Sequence, residues 1–227
     1  MEPLSPQVMH KLVFTILVHG LPDAQTGIAL DVLLEAQSNS NPQVRELAVV
    51  ALAELPVSPA KRVAALVRGM QDVTSRVRRR AARALGDFGM HALPAVQALA
   101  VALKDPDASV RRDAAGTLGR LGPAAGPASS GLVALLSDPD TRTRVVIATS
   151  LKRIGRPALP ALIEGLRNAD PDLRARCATL LGRIAPEDDT VLEALRVASS
   201  DRDTDVRERA TAALDAACVP FGSFVGV

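Results

Sequence analysis

Asp105-Pro106-Asp107-Ala108-Ser109-Val110-Arg111-Arg112-Asp113-Ala114-Ala115-Gly116-Thr117-Leu118-Gly119-Arg120-Leu121-Gly122 is the stretch that decides the fold. Val110, Ala114, Leu118 and Leu121 stand at offsets 0, 4, 8 and 11, which share one face of an α-helix. Asp before Pro favours a turn and then caps the helix that follows. Gly122 sits just past the last apolar position, where a residue able to take the left-handed conformation ends a helix. The stretch therefore reads as turn, amphipathic helix, stop.

The same pattern recurs along the chain. An apolar residue followed by Arg appears at Val44-Arg45, Val77-Arg78, Val110-Arg111, Leu173-Arg174 and Val206-Arg207, and Thr143-Arg144 is the polar variant. Successive spacings are 33, 33, 33, 30 and 33 residues. Leu52, Leu85, Leu118, Leu151, Leu181 and Leu214 all follow their anchors by eight residues. Ala48, Ala81, Ala114, Ile147, Cys177 and Ala210 follow by four, and Leu55, Phe88, Leu121, Ile154, Ile184 and Ala217 by eleven. Gly89, Gly122 and Gly155 form a stop column, and Pro94, Pro127 and Pro160 open the next helix, where a missing N–H costs nothing. Each repeat is thus first helix, Asp-Pro turn, second helix, Gly turn. Residues 1–24 are expected to carry an N-terminal capping helix, 25–218 six repeats, and 219–227 a non-repeating tail.

Composition agrees with helix-on-helix packing by small side chains. The chain has 227 residues, no Trp or Tyr, and four aromatics, Phe14, Phe88, Phe221 and Phe224. Its core must be Ala, Leu, Val and Ile, of which Ala and Leu are strong helix formers. Two cysteines make neither a disulfide framework nor a zinc site, and Cys177, in a core column, is expected to be buried and inert. Cys218 ends the last repeat. The opening Met1-Glu2-Pro3-Leu4-Ser5-Pro6 lacks the basic residues of a signal peptide, and Leu12–Val18 is too short to span a bilayer. A cytoplasmic protein without a membrane partner is expected.

The order Asp-Pro, Val-Arg, Ala-Ala, Leu-Gly, Leu-Gly resembles the short bacterial HEAT-like repeats, a repeat type also seen in phycobilin lyase subunits. A period of 33 also suits ankyrin, but the Thr-Pro-Leu-His box is missing, as are the large aromatics of TPR repeats. The resemblance covers residues 25–218 and implies an all-α, right-handed α-solenoid of six helix pairs plus the capping helix, with the second helices on the concave face. It also implies a ladder in which Asp72, Asp105, Asp138 and Asp201 pair with the repeated Arg column. Asn39 replaces Asp in the first repeat, and in the shortened fifth repeat Asp170 lies closer to its anchor.

Function has to be sought where the columns are broken. The Arg column (Arg45, Arg78, Arg111, Arg144, Arg174, Arg207) reads either as a packing device or as a comb for phosphates, and its strict phase favours packing. Other arginines do not repeat. Residues 72–183 hold 18 Lys and Arg against 10 Asp and Glu, whereas the whole chain carries only +2. Arg79, Arg80, Arg83, Arg112, Arg120, Arg153, Arg176 and Arg183 fall on the side of the second helices away from the core, with Arg76 beside them. They read either as a solvated helix face or as a basic groove for an acidic protein or peptide segment.

The leading expectation is a protein-interaction scaffold or adaptor, not an enzyme, with no cofactor. The alternatives are a lyase-like subunit of phycobilin type and a non-specific nucleic-acid binder. Phosphate contacts need only Arg and Lys, but base stacking needs aromatics that these helices lack. His10, His19 and His91 are scattered, with no metal-ligand spacing.

Overall fold

The structure is a computed structural model that describes residues 6–19 and 26–218. The tail 219–227, with Phe221 and Phe224, lies outside them, as do the side chains of His19 and Cys218. Thirteen α-helices and no strands occupy the described residues. Residues 1–121 and 122–227 form two compact units.

The first unit holds α1 (Pro6–His19), α2 (Thr26–Ala36), α3 (Pro42–Glu54), α4 (Pro59–Gly69), α5 (Ser75–Leu85), α6 (Val96–Ala102) and α7 (Ala108–Leu121). The second holds α8 (Ser129–Ala134), α9 (Thr141–Ile154), α10 (Leu159–Gly165), α11 (Pro171–Ile184), α12 (Asp189–Ala198) and α13 (Thr204–Cys218). Each unit is a stretch of α-solenoid with three helix pairs. Second helices stack in series: α3 on α5 and α5 on α7 in one unit, α11 on α13 in the other. The capping helix α1 packs on α3 as α3 packs on α5, so it takes the place of a second helix without a first. Met9, Val13 and Ile16 carry that contact into a core that includes Leu33 and Leu52.

The apolar columns are the core. Leu52, Leu85, Leu118, Leu151 and Leu181 are each 0 % exposed. Leu214 is half-buried, because no described helix follows α13 to cover it. The buried Thr143 keeps its phase by satisfying itself: its N–H and Oγ1 both donate to Asp140 Oδ2, at 2.9 and 2.6 Å. Phe88 departs from its column. α5 ends at Leu85, and Phe88 is half-buried in a 3₁₀ segment with the Arg62 guanidinium 4.7 Å from its ring centroid.

Gly89, Gly122 and Gly155 have φ of 50°, 61° and 72°, the only positive values among the described residues. A side chain is disfavoured there, which explains the stop column. The first helices of the third to fifth repeats differ from expectation. Each begins as a 3₁₀ segment (Gly86–Ala95, Gly122–Ala128, Arg156–Ala158) before a short α-helix. Pro94 and Pro127 lie inside two of these segments, and Pro160 opens α10; proline has no N–H to give to an α-helical ladder.

Candidate partner-binding surface

Two functions of the Asp-Pro turn are separated in space. The first acidic residue folds the turn and the second caps the helix. Asp105 Oδ1 accepts the Asp107 N–H at 2.9 Å, and Asp107 Oδ1 accepts that of Ser109 at 2.8 Å. Asp201 and Asp203 repeat the arrangement before α13.

The free side of the turn Asp receives the Arg of the preceding repeat. Arg45 Nε and Nη2 donate to Asp72 at 2.6 and 3.0 Å, and Arg78 to Asp105 at 2.6 and 2.7 Å. Arg174 donates both to Asp201 at 2.8 Å. In each case Nη1 also binds two carbonyls of its own turn, as Arg174 does with Asn168 O and Ala169 O. Planar bidentate geometry is what guanidinium offers and lysine does not. Burial pulls the Asp72 and Asp105 carboxyls upward, but hydrogen bonds from Arg45 and Arg78 outweigh it and hold both below the ordinary range. The Arg174 hydrogen bond does the same for Asp201. These arginines are structural, which answers the comb reading where the pairs are seen.

The ladder fails at the shortened fifth repeat. Five residues before each anchor stand Asn39, Asp72, Asp105, Asp138, Asn168 and Asp201, so the fifth register position belongs to Asn168, not to Asp170. Asn168 Oδ1 folds the turn by accepting the Asp170 N–H at 2.9 Å. Asp170 instead caps α11 and accepts the Ser137 hydroxyl, which holds its carboxyl below the ordinary range. Arg144 keeps its bonds to Asp138 O (2.6 Å) and Pro139 O (3.1 Å), but Nη2 turns to Thr141 Oγ1 at 2.9 Å. No carboxylate partner meets it among the described residues.

The non-repeating arginines divide by what they touch. In the first unit Arg76 and Arg80 converge on the buried Glu46, at 2.6 and 3.0 Å, joining α5 to α3. Burial opposes ionisation of Glu46, but hydrogen bonds from Arg80 and Arg76 prevail and lower its pKa. Arg120 reaches over Gly86 and donates from Nη2 to Arg83 O and Thr117 Oγ1, both at 3.0 Å, closing the end of α5. Arg112 approaches Ser109 Oγ at 3.4 Å. These four have local partners, a tie that no column predicted. Arg79 stands 4.0 Å from Asp113, and the exposed Arg83 guanidinium has no ion pair among the described residues.

In the second unit Arg153 and Arg183 are exposed and without ion pairs among the described residues, and Arg176 is 3.9 Å from Asp172. Arg176 and Arg183 line an open groove of about 430 Å³ on α9, α11 and α13; Arg153 does not. Arg144 and Arg209 line it too. Sequence reading missed both. Arg144 belongs to the repeated Arg column by phase, and Asn168 at the register position of its ladder partner is the signal that sets it apart. Arg209, three residues past its anchor like Arg80 and Arg176, was legible by phase alone. Cys177 lies fully buried, its thiol pushed up to about 12 by desolvation, and it offers no nucleophile. No group of three or more His, Cys, Asp or Glu is placed to hold a metal, and no helix is long and apolar enough to cross a membrane, among the described residues.

Helix pairs of constant phase, Asp-Pro turns and an Arg–Asp ladder define an α-helical repeat protein. The HEAT-repeat family model matches residues 30–101, 63–130 and 129–215, and the chain belongs to that family. Among solved structures it is similar to the complex of CpcE and CpcF of phycocyanin lyase from Nostoc sp. PCC7120. That match has 24% identity over 81% of this chain and 75% of the other, with a TM-score of 0.50. A designed armadillo repeat protein in complex with the peptide (KR)4 matches at 17% identity over 82% and 98%, TM-score 0.51. A TOG structure described for tubulin-binding specificity matches at 16% over 74% and 82%, TM-score 0.56. At these identities the likeness is one of fold. None of the curated proteins compared with the chain matches it in sequence.

Proposed function

We propose that the chain is a protein-interaction scaffold that holds an acidic segment of a partner protein on the exposed face of its second helices. The observation that carries this reading is the set Arg79, Arg83, Arg153, Arg176 and Arg183. These stand on second helices, and neither the ladder nor a close ion pair accounts for them. Within each unit, Arg79 with Arg83 in the first and Arg153, Arg176 and Arg183 in the second, like charges without a packing reason repel one another, and a negatively charged partner relieves that cost. A repeat array also offers extended surface rather than an enclosed pocket, which suits a segment of polypeptide. Neighbours of this fold that bind a peptide or tubulin support a protein partner in general.

The test is a fluorescence-anisotropy titration with three labelled probes: a short peptide alternating Glu and Leu, its Gln and Leu counterpart, and a duplex DNA. Binding of the Glu peptide alone, weakened by salt, is expected. Tighter binding of the duplex would transfer the arginines to phosphate recognition, and equal binding of the Glu and Gln peptides would remove charge from the account.

A further inference from the structure

We infer that the groove on α9, α11 and α13 is the seat for one carboxylate side chain of the partner, and that Arg144 receives it in place of the ladder Asp the fifth repeat lacks. The inference rests on the acidic-partner reading and narrows it to one place.

The ladder provides the template. In the Arg45–Asp72, Arg78–Asp105 and Arg174–Asp201 pairs, Nε and Nη2 grip the two carboxylate oxygens while Nη1 is spent on the turn carbonyls. Arg144 has the Nη1 half of this arrangement and not the other half. Among the described residues its Nη2 has only the Thr141 hydroxyl, as the Nη2 of Arg207 in the last repeat has only that of Thr204. Arg144 is therefore bonded like the end of an array, although two repeats follow it. The three-residue deletion and Asn168 together produce this, and α11 correspondingly packs far less closely on α9 than on α13.

The surroundings select the occupant. Arg209 is paired with Asp205 at 3.0 Å and Arg176 is loosely matched by Asp172, which leaves Arg144 and Arg183 as the uncompensated charges of the lining. The lining also includes the aliphatic Val145, Ala148, Ala175 and Leu180, and Val145 is 61% exposed. Two cations and aliphatic side chains in one groove fit Glu or Asp next to an aliphatic residue. A phosphodiester would gain from the cations and nothing from the aliphatic side chains. Guanidinium binds carboxylate with paired, charge-assisted hydrogen bonds, so a side chain placed here completes the bidentate contact made elsewhere within the chain.

The experiment uses the labelled Glu and Leu peptide against the whole chain and two variants. Val145→Glu sets a carboxylate beside Arg144 at an already exposed position, so folding is undisturbed; peptide affinity is expected to fall about tenfold or more with an unchanged circular dichroism spectrum. Arg183→Gln, which breaks no ion pair, is expected to weaken binding and to flatten its salt dependence. Affinity of Val145→Glu within about twofold of the parent overturns the seat. If Arg79→Glu with Arg83→Glu then abolishes binding, the acidic-partner reading stands and the seat lies on the first unit. If the parent chain binds the Glu peptide no better than the Gln peptide, both readings fall together. Binding of the duplex DNA that Val145→Glu abolishes assigns the groove to phosphate and overturns the carboxylate.

Discussion

Replacing Arg174 and Arg144 in turn by Met separates the ladder's energy from that of the turn contacts. Both arginines lie in the second unit, so the same cooperative structure reports on both. Arg174 is 4% exposed and makes two hydrogen bonds to Asp201 and two to turn carbonyls. Removing one member of a buried pair costs about 3–5 kcal/mol, because the other charge is stranded. Asp201 retains some access to water, with its side chain 15% exposed, so about 2–3 kcal/mol is expected. Arg144→Met loses only contacts to carbonyls and a hydroxyl at the rim of a turn, worth about 0.5–1.5 kcal/mol. Urea unfolding followed by far-UV circular dichroism measures the difference. For a unit of roughly 100 residues, Arg174→Met should lower Tm by roughly 10 °C or more and Arg144→Met by a few degrees. Equal losses would refute the reasoning, since they would mean that the carboxylate adds nothing and that Arg144 is an ordinary member of its column.

Leu118→Ala, at a fully buried column position, should cost about 2–5 kcal/mol by the same assay; a loss below about 1 kcal/mol would show that the column is misread. Gly182→Ala should destabilise by about 1–3 kcal/mol, because a Cβ there would meet the Ala213 Cβ at 2.5 Å and its Cα at 3.2 Å, where α11 and α13 touch. Asp72, Asp105 and Asp201 have folded pKa values below their unfolded ones, so their contribution is complete above the ordinary carboxylate pKa of about 3.9 and is lost as pH falls through the depressed values. Tm should accordingly be flat from about pH 7 to 5 and fall below about pH 4; a steady decline starting near neutrality would contradict this. Arg79→Glu with Arg83→Glu should leave Tm almost unchanged, whereas Arg76→Glu with Arg80→Glu should lower it by crowding carboxylates onto Glu46.

Packing requirements repeat, and so they were legible. Leu118 and its equivalents, the positive-φ glycines and the Arg–Asp pairs each recur at fixed phase for a reason that each repeat shares. Contacts between dissimilar residues of adjacent repeats were not legible. Glu46 lies 30 and 34 residues before Arg76 and Arg80, and no column marks the trio, yet it ties α3 to α5. Arg120 is exposed as its phase implies, but its reach to the end of the neighbouring helix depends on the missing Cβ of Gly86, which no column marks. The 3₁₀ openings of the first helices escaped because a proline allowed in a first turn says nothing about the ladder of bonds around it. The register of the fifth repeat needed coordinates, since Asn168 and Asp170 both precede α11 and only their hydrogen bonds reveal which one folds the turn and which one caps the helix.

Hydrogen exchange of the chain with and without the Glu and Leu peptide tests the binding face most directly. Peptide-dependent protection is expected in the second helices, most strongly in α9 and α11 around Arg144, Val145 and Arg183, with α10 and α12 unchanged. Protection confined to the first helices α4, α6, α10 and α12 would contradict the account, because it would place the partner on the opposite side of every repeat.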